Sequence, residues 1–133
     1  MASTKIETSD FRDFASTSAP YYGQNGIELD EVNEYTSLTS GSGNGVHFEF
    51  NSAGYLILYN ASTSLRTFTF LLEEPNEYEK LGISFSNKTV SVGPSEKHIL
   101  PVDSRYKKAD GNIYIESSGT DCKLQIIKRY TIV

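Results

Sequence analysis

From Val46 to Arg129 the chain reads as about eight short runs in which apolar and polar residues alternate, each run closed by turn residues. A period of two puts successive side chains on opposite faces of an extended backbone, so such runs specify strands rather than helices, whose period is 3.6. Val46, Phe48 and Phe50 share one face, with His47 and Glu49 opposite. Phe68, Phe70 and Leu72 alternate with Thr67, Thr69 and Leu71, and Ile113 and Ile115 should point inward together. Shorter strands are expected at Ile83–Phe85, Thr89–Val92 and Lys97–Leu100, and a closing strand at Lys123–Arg129 with Leu124 and Ile126 on one face and Ile127 on the other. Turns are signalled by Asn51-Ser52-Ala53-Gly54, Gly93-Pro94-Ser95, Asp110-Gly111 and the run from Ser117 to Asp121. The stretch Tyr55–Asn60 breaks the alternation because it is apolar on both faces. That pattern marks a central strand covered on each side by core, by neighbouring elements or by another subunit. The expected fold is all-β: an antiparallel β-sandwich, jelly-roll or Ig-like, of about eight short strands.

A chain of 133 residues buries about two-thirds of its unfolded surface, enough for one core without staples. The body is expected over 46–133. Residues 1–45 read as an extended N-terminal arm, rich in Ser, Thr and Gly and ending in the linker-like run Thr39-Ser40-Gly41-Ser42-Gly43-Asn44-Gly45. The arm also carries Phe11, Phe14, Tyr21, Tyr22, Ile27, Leu29 and Val32, too much apolar surface for a purely solvated tail. Ser9 or Asp10 can cap a single helical turn through Phe14, marginal unless packed. Two destinations are open for the arm: its own body, or a neighbouring subunit or surface.

The net charge of −5 lies entirely in this leader, where Lys5 and Arg12 face seven carboxylates, while the remaining 88 residues balance ten basic against ten acidic groups. An acidic leader with no basic stripe elsewhere excludes a phosphate backbone as partner, so no nucleic acid is expected. No apolar stretch approaches the roughly 20 residues that span a bilayer, and the first residues lack the apolar core of a secretory leader; no membrane partner is expected. Cys122 is the only cysteine, so an intramolecular disulfide is impossible.

Nothing in the sequence assembles a catalytic or metal-binding pattern. His47, Glu49 and His98 supply ligand types without a diagnostic spacing, and Cys122 has no histidine at motif distance. Glu73, Glu74, Glu77 and Glu79 offer the paired acids that glycoside hydrolysis needs, but Pro75 and the surrounding polar residues read as a solvated loop. The Gly41–Gly45 run follows no strand and opens no helix, so it is no phosphate cradle. The expectation is a non-enzymatic protein without cofactor. A basic loop, Arg105, Lys107 and Lys108 around Tyr106, mirrors the acidic one; either each is a solvated connection, or the two meet across subunits of a cyclic oligomer, where opposite charge sets register.

The arrangement Gly54-Tyr55-Leu56-Ile57-Leu58-Tyr59-Asn60-Ala61-Ser62, Arg66-Thr67-Phe68-Thr69-Phe70, Thr89-Val90-Ser91-Val92-Gly93-Pro94, Ile99-Leu100-Pro101 before Arg105-Tyr106, and Asp110-Gly111-Asn112-Ile113-Tyr114-Ile115 resembles the capsid decoration, or cement, proteins of tailed bacteriophages. The similar stretch runs from about Phe48 to Arg129. The resemblance implies a structural subunit, made in the host cytoplasm, that sits on the outer surface of the virion capsid and bridges major capsid proteins as a homo-oligomer, a trimer being favoured. The leader departs from the shortest members of that family, but its composition suits an arm that orders on docking with Phe11, Phe14, Tyr21 and Tyr22 as anchors, and the oppositely charged loops at Glu73, Glu74, Glu77, Arg105, Tyr106, Lys107 and Lys108 are the other candidate contacts. A carbohydrate-binding or adhesion module presenting Tyr55, Tyr59, Tyr78 and Tyr106, and a neck or tail subunit, are the alternatives.

Overall fold

Pairing of the alternating runs produces nine strands among the described residues of the computed structural model, which are 3–12, 35–41, 44–73, 80–82 and 86–129. They are β1 (Thr4–Lys5), β2 (Thr36–Ser37), β3 (Val46–Glu49), β4 (Ala53–Asn60), β5 (Arg66–Leu71), β6 (Lys88–Val92), β7 (Lys97–Pro101), β8 (Asn112–Ser117) and β9 (Cys122–Lys128). One sheet has the order β1-β3-β8-β5-β6 and the other β2-β9-β4-β7. Every pairing is antiparallel except that of β1 with β3.

The order decides between the two sandwich types expected from the sequence. β5 pairs with β6, β4 with β7, β3 with β8 and β2 with β9, four ladders nested one inside the next. The nest is then rolled so that β8 also meets β5 and β9 also meets β4. A long antiparallel ribbon wrapped in this way is a jelly roll. Its core lies between the sheets, where Phe48, Leu56, Leu58, Phe68, Phe70, Ile113, Ile115 and Leu124 are all fully buried. Each such side chain contributes about 1.5–3 kcal/mol relative to exposure.

The doubly apolar run Tyr55–Asn60 becomes β4, an inner strand between β9 and β7. Leu56 and Leu58 face the core, while Ile57 joins Ile127, Tyr35 and Tyr59 in a second cluster on the outer face of the same sheet. That outer face is therefore covered in part by the chain itself, with Tyr35 supplied by the leader.

The leader is knit into both sheets wherever it is described. β1 extends one sheet and β2 the other. Ile6, Phe11 and Leu38 enter the core, Phe11 meeting Phe48 edge-to-face at 6.1 Å. Arg12 bridges to β9, its N–H donating to the Ile126 carbonyl at 2.7 Å and its carbonyl accepting from the Lys128 N–H at 2.6 Å. In place of the expected helical turn through Phe14, a 3₁₀ turn at Thr8–Asp10 closes at Phe11 in extended backbone, and Phe14 lies outside the described residues.

The glycine-rich run differs from a free tether at both of its described ends. Gly41 donates its N–H to the Ser117 carbonyl at 3.1 Å, and Asn44 donates its N–H to the Gly41 carbonyl at 3.2 Å. Gly45 has φ +120° and packs so closely that a Cβ there would lie 2.2 Å from the Ile115 carbonyl oxygen, which restricts the position to glycine. Two further details differ from the alternation alone. β3 ends at Glu49, and Phe50 starts a 3₁₀ turn through Ser52 while still packing on the core; Ile83–Phe85 lies outside the described residues.

The end of the sandwich opposite that turn is fixed by one buried side chain. The Asn60 amide donates to the carbonyls of Ser64 (2.6 Å) and Val92 (2.9 Å), and its oxygen accepts from the Ser62 N–H (2.9 Å) and hydroxyl (2.6 Å). Every polar atom of the amide is thus satisfied while fully buried, and the β4–β5 loop is tied to β6. Asn60→Ala strands several of these partners and is expected to cost about 2–4 kcal/mol. Urea unfolding measures this, and a loss below about 0.5 kcal/mol would show that the network does not hold the loop.

Candidate functional site

At the other end the β3–β4 turn, the start of the β5–β6 connection, the β7–β8 loop and the close of β9 converge, because Glu49 pairs with Asn112, Leu71 with Tyr114 and Ala53 with Lys128. Asp103 organises the basic loop here. It accepts the Arg105 N–H at 2.8 Å, capping the 3₁₀ turn Ser104–Tyr106, and its two oxygens receive the Arg105 guanidinium at 2.7–3.2 Å. The Arg105 side chain, then its backbone N–H, holds the Asp103 carboxyl at about 2, and the same pairing raises Arg105. Tyr106 lies against Phe70, ring centroids 4.8 Å apart. The Lys107 ammonium stands 5.2 Å from the Phe50 ring and the Lys108 ammonium 5.1 Å from the Tyr114 ring.

Glu73 accepts the Ala109 N–H at 3.0 Å. The beginning of the acidic excursion and the end of the basic loop are therefore neighbours within one chain; Glu74 and Glu77 lie outside the described residues. Of the expected arm contacts, Phe11 is 6% exposed in the core and so unavailable as an external anchor, and Tyr21 and Tyr22 lie outside the described residues.

The metal-type residues are dispersed. His47 stacks on Tyr114 (4.9 Å, 21°) with Nδ1 3.0 Å from the Ser3 hydroxyl, whereas His98 belongs to the other sheet, 3.4 Å from Glu96. Among the described residues no three metal-type side chains gather. The Tyr114 hydroxyl donates to the Asp110 carboxylate, which lowers that carboxyl and raises the phenol. Cys122 is buried between the sheets, and burial pushes its thiol up, away from the thiolate a nucleophile needs.

Alternation alone gave no sign of the feature that stands out beside this end. Tyr55 on β4 is paired with Pro101 on β7, and Ile99 lies two residues along on the same outer face. Tyr55 is 48% exposed and Ile99 56%, and Pro101 is exposed too. Next to them a solvent-open cavity of about 370 Å³ is lined by Ala53, Gly54, Tyr55, Pro101, Val102 and Arg129. Period-two reading places Tyr55 outward, but only the β4–β7 pairing sets it beside Pro101. The surface combines exposed apolar side chains with the Arg129 cation.

No family model matches the chain, and neither a curated protein nor a solved structure is significantly similar to it.

The Asp103 carboxyl titrates far below its ordinary value of 3.8, so its ordering of the loop is fully present above that pH and is lost as pH falls through about 2. Carbon-13 NMR of the Asp103 side chain should show a midpoint near 2. A midpoint at the ordinary value would show that the Arg105 pairing does not persist in solution.

Proposed function

We propose that the chain is a non-enzymatic structural virion protein that binds the outer surface of a phage capsid and stabilises it, a decoration or cement subunit acting as a homotrimer on the major capsid protein. The observation that carries this reading is the strip Tyr55–Pro101–Ile99, large apolar side chains held exposed on a pre-ordered jelly roll. Jelly rolls serve both capsid and lectin domains, so the fold does not choose the function; the exposed apolar strip favours a protein surface over a solvated role. Such a subunit works by mass action: a partner that binds the mature shell and not its ruptured form stabilises the shell in proportion to RT ln(1 + [L]/Kd). A subunit whose loops are ordered before contact forfeits little entropy on docking.

The carbohydrate-binding alternative calls for several exposed tyrosines. Tyr55 meets that requirement, but Tyr59 sits edge-on to Tyr35 at 5.6 Å beneath the Lys97 ammonium, and Tyr106 leans on Phe70; Tyr78 lies outside the described residues. A single exposed tyrosine ring among the described residues favours an apolar contact over a stacking platform.

Heads of the encoding phage, purified without this chain in unexpanded and expanded forms, provide the test. The protein should co-sediment with expanded heads and stay in the supernatant with unexpanded ones. Failure to pellet with expanded heads, or recovery from virions only in neck or tail fractions, contradicts the proposal.

A further inference from the structure

The cavity beside Tyr55 is built by the backbone. β4 shifts register between Ala53 and Tyr55, and the Gly54 carbonyl in that bulge accepts the Val102 N–H at 3.0 Å. A Cβ on Gly54 would lie 3.0 Å from the Arg129 Cα, so glycine lets the end of β9 approach. Arg129 is pinned through its main chain, its N–H donating to the Ser52 carbonyl at 2.8 Å. Its guanidinium lies 5.2 Å from the Phe50 ring, the ring that also faces Lys107, and makes one long contact of 3.5 Å to the Ala53 carbonyl. No carboxylate among the described residues pairs with it. The cavity therefore joins apolar lining, one exposed tyrosine ring and a positioned cation that no carboxylate among the described residues pairs with.

Charge complementarity calls for a carboxylate, and the lining decides what carries it. Among the described residues, Tyr55 and Arg129 are the only ones lining the cavity with polar side chains. A sugar, which presents a hydroxyl on nearly every carbon, would leave most of them unpaired there. The apolar strip continues past the cavity from Pro101 to Ile99, and residues two apart in a strand are spaced about 6.6 Å, the same spacing as alternate side chains of an extended peptide.

We propose that this cavity seats an acidic, apolar segment of a partner protein in extended conformation, with a carboxylate on Arg129 and the apolar side chain two positions along between Tyr55 and Pro101. Identifying that partner with the capsid shell rests on the function proposed above; the pocket's chemistry does not. Glutamate or aspartate two residues before a large apolar residue is the recognised unit, and the exposed Ile99 takes the side chain two further positions along.

The test is an amide NMR titration of the full chain with the end-blocked pentapeptide Glu-Ser-Phe-Ser-Phe, whose carboxylate and two rings share one face when extended, its glutamine counterpart, and D-glucuronate. Saturable shifts are expected at Gly54, Tyr55, Val102 and Arg129, weakened about fivefold or more by the glutamine counterpart and by Arg129→Gln, and unchanged by Arg105→Gln. Tyr55→Ala, at an exposed position, should weaken binding as well and covers the case in which Arg129→Gln fails to fold. Absence of saturable shifts, equal affinity for the glutamine counterpart, or tighter binding of glucuronate to the same amides overturns the proposal. The two readings fail separately. Wild-type protein and Tyr55→Ala pelleting equally with expanded heads would remove the pocket and leave the capsid function, whereas a peptide-binding pocket in a chain that ignores heads would do the reverse.

Discussion

The β4–β9 ladder is the constraint on which the rest of the molecule depends. It joins Ala53–Asn60 to Cys122–Lys128, residues far apart in sequence, and both of its faces are apolar. Inward, Leu56, Leu58, Leu124 and Ile126 meet the other sheet; outward, Ile57 and Ile127 anchor the second cluster with Tyr35. A one-residue slip would exchange these two sets and turn the outward-facing Gln125 and Lys123 toward the core, so the register is strongly specified. β7 and β2 then take the remaining edges of these strands, and the loops they pull together build both ends of the sandwich.

Those ends do different things. At one, Asn60 satisfies its whole amide within the protein and leaves a fixed loop. At the other, charges are largely matched inside the chain: Arg105 by Asp103, Lys107 by the Phe50 ring, Lys108 by the Tyr114 ring and Glu73 by the Ala109 N–H. Charge there orders the loops more than it advertises them. Arg129 shares the Phe50 ring with Lys107, its guanidinium 3.5 Å from the Ala53 carbonyl and with no carboxylate among the described residues, and it is the cation that lines the cavity.

Much of the fold was legible because side-chain alternation is a local property. Phe68 and Phe70 in β5, Ile113 and Ile115 in β8, and the split of Leu124 and Ile126 from Ile127 in β9 all follow from period two. Pairing is not local, and that is where reading stopped. β1 and β2 are two residues each, too short to show a period, and their composition matches a linker; only the sheet edges waiting for them make them strands. Gly45 looks like one more flexible glycine until the Ile115 carbonyl is set against it. The candidate cavity was illegible for the same reason: Tyr55, Pro101 and Arg129 come from three strand ends, and nothing in their spacing announces that a bulge brings them together.

The described leader is thus part of the folded body. Ile6, Phe11 and Leu38 together contribute roughly 5–9 kcal/mol by burial, comparable to the 5–15 kcal/mol that holds a whole domain. Thermal unfolding of a chain beginning at Val46, set against the full chain, tests this most directly. The account predicts loss of a cooperative transition or a midpoint lowered by more than about 10 °C. A shortened chain that melts cooperatively within about 2 °C of the full one would contradict it.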